Sequence, residues 1–134
     1  MNLPIRPPLA GPTDSTPAIG VLLDISGASS RLLLDLRALS DFTRDQGPDA
    51  ETAGQVGSFV KLKIGRTWVV ASIRSTRLGD DGSNLIAEVD LMGEGYEPEP
   101  GQGLRGFRRG VTRYPLPGSP VHPVTRDSVS WSIS

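Results

Sequence analysis

The stretch Val60-Lys-Leu-Lys-Ile-Gly-Arg-Thr-Trp-Val-Val-Ala-Ser-Ile73 has the residue pattern of a β-hairpin. Apolar residues occupy every second position before Gly65-Arg66, and after it Val69, Ala71 and Ile73 do the same, as the inward face of a strand requires. A two-residue loop that begins with glycine suits a type II′ turn. The pattern assigns inward positions to Val60, Leu62, Ile64, Val69, Ala71 and Ile73, and outward positions to Lys61, Lys63, Trp68, Val70 and Ser72.

The same alternation occurs on the amino-terminal side of this hairpin. Residues 18–25 and 31–36 are separated by the turn-type sequence Gly27-Ala-Ser-Ser30 and predict another pair of strands. Residues 38–42 have the spacing of a short helical turn, and the polar segment 43–55 is predicted to be a surface loop. The inward positions assigned here are Ile19, Val21, Leu23, Ile25, Leu32, Leu34 and Leu36.

Towards the carboxyl end, residues 85–91 predict a strand with Leu85, Ala87, Val89 and Leu91 inward. An acidic segment rich in proline and glycine follows at 93–103. Residues 104–112 then predict a strand interrupted at two glycines, which often mark bulges in strands. A turn at 114–118 leads to a closing strand at 121–124. The two interrupting glycines are Gly106 and Gly110.

Six or seven short strands and little helix predict an all-β domain. The chain has 134 residues with 16 glycines and 12 prolines, which fits short strands joined by tight turns. Closure removes the exposed edges of a sheet, so we predict a small closed or partly open β-barrel of about six strands with long loops. A two-sheet sandwich is the alternative. We assign residues 1–17 to a flexible proline-rich arm, 18–125 to the barrel, and 126–134 to an added strand or a linker towards a further domain.

The composition of the chain excludes several kinds of functional site. The chain has no cysteine, which excludes disulfides, thiolate metal sites and cysteine nucleophiles. Its single histidine, His122, has no acid or nucleophile beside it in sequence, so we interpret it as structural. The formal net charge is −1, which gives no bulk attraction to nucleic acid. Because the sequence has no membrane-length apolar run and no signal-peptide pattern, we expect a cytoplasmic protein with no membrane contact. We also assign no catalytic, cofactor or metal site to the chain.

The densest basic segment carries the candidate contact residues. Guanidinium groups bind phosphate in bidentate fashion and pair equally well with carboxylates. Two uses therefore remain open: phosphate contacts, or pairing with acids across an interface or within the chain, including the acidic segment 93–103. Few aromatic residues are present to stack on nucleic-acid bases, which favours pairing with acids. The candidates are Arg105, Arg108, Arg109, Arg113 and Tyr114.

Four runs, Val56–Leu62, Trp68–Ile73, Ile86–Glu94 and Phe107–Thr125, resemble the N-terminal barrel of the HerA family of hexameric DNA-translocating ATPases. This barrel type is shared with the rotary ATP synthases. The last run, with its Arg-Arg-Gly-Val and Tyr-Pro sequences, is the most specific, and the others are generic barrel strands. The resemblance covers residues 18–125.

The resemblance implies a function for the barrel. In that family the barrel precedes a RecA-like ATPase core, the barrels form a ring at one end of the hexamer, and some members dock a nuclease of the NurA type. This chain would then be a non-catalytic collar for hexamer assembly and effector docking in a DNA-repair helicase. ATP, Mg and DNA would be handled by the full-length assembly, and no catalytic residue is carried over. The alternatives are a nucleic-acid-binding barrel that uses the Arg105–Arg113 stretch, and a structural barrel subunit of a phage or secretion apparatus.

Overall fold

A computed structural model describes residues 17–26, 29–46, 53–97 and 104–124 of the chain. These residues form seven β-strands and one α-helix. No helix among them is long and apolar enough to cross a membrane. In chain order the elements are β1 (Gly20–Ser26), β2 (Ser29–Asp35), α1 (Leu36–Gln46), β3 (Phe59–Ile64), β4 (Thr67–Leu78), β5 (Asn84–Tyr96), β6 (Arg105–Arg109) and β7 (Pro120–Pro123).

Six of the strands form a closed antiparallel barrel, which confirms the predicted fold class. Around the barrel the order is β1, β7, β3, β4, β5 and β2. Pairing of β2 with β5, from Ser29↔Asp90 to Asp35↔Asn84, returns the sheet to β1 and closes it. The predicted closing strand is β7, which lies between β1 and β3. The seventh strand, β6, lies outside this ring and pairs with β5.

Alternate residues of the strands fill the barrel interior, largely as the sequence predicts. The quoted hairpin is β3–β4, and Gly65 has the positive φ of 61° that the first position of its turn requires. Residues of β2, β5 and β7 complete the core. Core residues that are at most 1% exposed include Val60, Leu62, Ala71, Ile73, Leu32, Leu34, Ala87, Val89 and Val121.

The predicted inward face of β1 is wrong at two positions. Val21 and Leu23 are each 37% exposed, whereas Leu22 between them is 2% exposed and lies in the core. The register with β2 shifts between Leu22 and Asp24, which leaves Leu23 as an extra residue in a β-bulge. A bulge reverses the face of every following residue, so Ile25 again packs against the core.

The helix is longer than predicted. Helix α1 begins directly after β2 and buries Leu39 and Phe42 in the barrel core. It continues through Thr43 to Gln46, where we predicted a loop. The Thr43 hydroxyl donates a hydrogen bond to the Leu39 carbonyl, at 2.9 Å, so this polar group has a partner within the helix.

Strand β5 is also longer than predicted. Residues Gly93–Tyr96, which we assigned to an acidic excursion, form its last part and pair with both β4 and β6. Residues 98–103 of that excursion lie outside the described residues. So do residues 1–16 of the predicted arm, 27–28 of the first predicted turn, 47–52 of the predicted loop, and 125–134. The predictions made for those segments stay predictions.

The bulge in β1 gives a direct test with two neighbouring leucines. We expect Leu22→Ala to lower the free energy of unfolding by about 2–5 kcal/mol, because it leaves a cavity in the core. Leu23→Ala is expected to cost less than about 1 kcal/mol, because it truncates a side chain on the barrel surface. Urea denaturation of both variants measures the difference. A larger loss of stability for Leu23→Ala than for Leu22→Ala would indicate uninterrupted alternation and contradict the bulge.

Candidate docking surface

The arginine-rich stretch forms β6, an added strand on the barrel wall. It pairs with the last part of β5 in the register Gly93↔Arg109, Glu94↔Arg108 and Tyr96↔Arg105. The register shifts near Gly106, which has a φ of 64°, so the predicted glycine bulge is confirmed. Because β2 has already separated from β5 at this level, β6 occupies the side of β5 that β2 leaves free.

Glu94 anchors the arginine stretch to the barrel. Glu94 is only 6% exposed. Its carboxylate accepts hydrogen bonds from the Thr112 backbone amide and from the Thr112 hydroxyl, each at 2.9 Å. Arg108 Nη2 lies 3.3 Å from the same carboxylate. The Thr112 amide, together with the other donors, outweighs burial and lowers the pKa of Glu94 below its ordinary value. The predicted pairing of acids with the arginine stretch thus occurs within the chain for Arg108.

The other candidate residues face solvent. Arg105, Arg109 and Arg113 are exposed and form no ion pair with any residue that the structure describes. Tyr114 is 49% exposed. The structure therefore brings Arg108 together with an acid and leaves the remaining arginines available to a partner.

A small apolar cluster lies beneath β6, on the outer side of the barrel wall. Trp68 and Val70 point away from the barrel interior, as predicted, yet they are 2% and 0% exposed because Leu104 and Phe107 pack against them. Gly93 permits this approach. A Cβ at that position would lie 2.6 Å from Phe107 Cζ and 2.2 Å from the Arg108 carbonyl oxygen.

Beside this cluster an open apolar groove of about 280 Å³ is lined by Phe59, Met92, Phe107 and Arg109. Phe59 is 38% exposed and Met92 is 41% exposed. Met92 lies where the register of β4 and β5 shifts, so a bulge presents its side chain at the surface. Sequence reasoning did not identify the groove. Its one signal in the sequence is Phe59, a large apolar residue next to inward-facing Val60.

Cationic and aromatic side chains lie together on the same outer face. The Lys61 and Lys63 ammonium groups lie 4.5 Å and 5.6 Å from the centroid of the Trp68 ring, within cation–π range. The His122 ring meets Trp68 edge-on, with 5.5 Å between centroids. Trp68 Nε1 donates a hydrogen bond to Glu97 Oε1 at 2.9 Å. Trp68 thus joins β3, β4 and β7 on the outer face, where His122 makes a packing contact.

No protein-family model matches the chain, and no curated protein matches it. The resemblance to HerA-type barrels therefore rests on the residue runs quoted above.

The Glu94 anchor predicts a pH-dependent stability. Because the folded-state pKa of Glu94 lies below its ordinary value of 4.5, its carboxylate adds stability above that pH, and this contribution is lost as the pH falls through the folded-state pKa. We expect Glu94→Gln to lower the free energy of unfolding by about 1–3 kcal/mol at neutral pH. The difference from wild type should shrink as the pH falls below 4.5.

Urea denaturation at a series of pH values measures this difference. Glu88→Gln is the control, because Glu88 is half exposed and meets Arg74 at 3.7 Å, an arrangement that contributes at most about 1 kcal/mol. A difference between wild type and Glu94→Gln that is the same at every pH would contradict the role of the ionised carboxylate.

Proposed function

We propose that this chain is a non-catalytic assembly and docking barrel, of the kind that forms the N-terminal collar of HerA-like ATPases. One observation carries the proposal: an exposed apolar groove lies beside arginines that have no acidic partner among the described residues. Aromatic residues, methionine and arginine are the side chains enriched in protein–protein interfaces. A surface of this composition supports the binding of another protein chain.

The placement of the resembling runs supports the family part of the proposal. Run Val56–Leu62 includes the first four residues of β3, Trp68–Ile73 lies in the first part of β4, and Ile86–Glu94 includes most of β5. The most specific run, Phe107–Thr125, begins in β6 and includes β7. The runs therefore lie next to one another in one folded unit, and they include the strands that carry the groove.

In this proposal the barrels of six copies form a cytoplasmic ring at one end of a DNA translocase. A RecA-like domain encoded in the same reading frame binds ATP and Mg, and the full assembly engages DNA. The barrel itself supplies contacts between subunits and a surface for an effector such as a nuclease of the NurA type. We assign it no chemical step.

A nucleic-acid-binding barrel is the second candidate. It is favoured by the exposure of Arg105, Arg109 and Arg113, which would contact phosphates. Against it, Arg108 is paired with Glu94 and the net charge is −1. In this alternative, affinity for DNA falls steeply with salt and is lost when Arg108 and Arg109 are both replaced by alanine.

The reading frame that encodes the chain tests the proposal. We expect the codons after Ser134 to continue into a phosphate-loop ATPase domain with the pattern Gly-x-x-x-x-Gly-Lys-Ser/Thr. Light scattering of the complete product should give the mass of a hexamer, with this chain alone forming smaller species. A stop codon at that point, or a complete product that stays monomeric, would contradict the collar function.

A further inference from the structure

Strand β6 is an edge of the sheet. It is last in the strand order, and within the described residues no strand pairs with its outer side. The backbone amides and carbonyls of an open edge are a template for an additional strand. Its positive charge also disfavours pairing with β6 of a second copy, because like charges on neighbouring strands destabilise a sheet.

The charge of this edge points to an acidic partner. Arg105 and Arg109 lie on β6, Arg113 follows it, and all three are exposed and form no ion pair with a described residue. The Arg108 side chain is 69% exposed even though it contacts Glu94. Carboxylates on an added strand would lie within reach of these guanidinium groups, and opposite charges across a strand pair stabilise it.

The groove accounts for apolar residues in the same partner. Phe107 and Arg109 are two residues apart on β6 and both line the groove, so they lie on one face of the strand. Alternate residues of a strand added beside β6 would project on that face too. An apolar side chain there would contact Phe107 and reach towards Met92, whose side chain is 41% exposed.

We propose that β6 binds an extended, acidic peptide segment of a partner protein as an additional β-strand, with the partner's apolar side chains entering the groove. The inference rests on the proposed docking function and specifies the partner's chemistry. Backbone hydrogen bonds would supply affinity, and the alternation of acidic and apolar side chains would supply specificity.

Fluorescence anisotropy with a synthetic peptide tests the proposal. The probe is a fluorescein-labelled peptide of about six residues, a typical strand length, in which glutamate alternates with valine or leucine. We expect saturable binding to this chain and a rise in Kd of about fivefold for Arg105→Glu. Arg105 lies with Arg108 on the face of β6 opposite the groove, where the glutamates of the probe project. The matched control is Arg77→Glu, which reverses an exposed charge at the far end of β4 and should leave Kd unchanged.

A second variant and a modified probe separate the parts of the inference. Met92→Asp places a charge in the groove and should weaken binding as Arg105→Glu does, while circular dichroism confirms that both variants fold. N-methylation of the probe at alternate amides blocks one of its edges. Binding should be abolished when the methylated amides belong to the edge of the probe that faces β6. It should be unchanged when they belong to the opposite edge, since an added strand bonds through one edge only.

Three results would overturn the inference. The first is no binding of the acidic probe up to about 1 mM. The second is that a probe with lysine in place of glutamate, or both of the N-methylated probes, bind as tightly as the unmodified acidic probe. The third is tighter binding of labelled oligothymidine that Arg105→Glu abolishes, which would make the surface a nucleic-acid site. If the complete product still forms a hexamer, a failed peptide titration removes this inference and leaves the collar function standing.

Discussion

The pairing of β2 with β5 is the contact on which the rest of the structure depends. It joins the two ends of what would otherwise be an open sheet, and it places Leu32 and Leu34 beside Ala87 and Val89 in the core. Because β5 continues beyond this pairing to Tyr96, one of its sides is left free at that level. The candidate docking surface exists because β6 occupies that side without closing a second ring.

The Glu94 carboxylate holds β6 against the barrel and so fixes the position of the candidate docking surface. It is held by donors from Arg108 and from Thr112, which lies beyond the end of β6, so the strand and the turn after it are fixed to the barrel. Burying a carboxylate is unfavourable unless hydrogen bonds compensate, and here they lower its pKa. The remaining arginines are then presented outward on a supported strand.

The sequence predicts the barrel well because most strands alternate regularly and their turns carry glycine. The quoted hairpin, the inward residues of β2 and the bulge at Gly106 are examples. The prediction for β1 fails at Val21 and Leu23. The inward residues Leu22 and Ile25 are three positions apart across the bulge, which a strict period of two does not reproduce. The sequence pattern also assigns Glu94 to a loop. The strand that pairs with this glycine-flanked residue lies in the arginine stretch, which no local pattern connects with it.

Long-range contacts also explain what was missed at the site. Trp68 and Val70 are correctly placed outside the barrel, but their burial depends on Leu104 and Phe107, which no local pattern connects with them. The five candidate residues are identified from charge alone, whereas their division into paired Arg108 and solvent-facing neighbours requires the register of β5 and β6. The groove arises from three strands and has no contiguous sequence signature.

Amide hydrogen exchange of the free chain, followed by NMR, tests most directly whether β6 is held from one side with an open outer edge. We expect slow exchange for the amides that join β2 to β5. Within Arg105–Arg109 only the amides that donate to β5 should exchange slowly, and those on the other edge should exchange as fast as exposed amides. Uniformly fast exchange would show that β6 does not pair with β5. Uniformly slow exchange would show that its outer edge is covered, and either result contradicts the account.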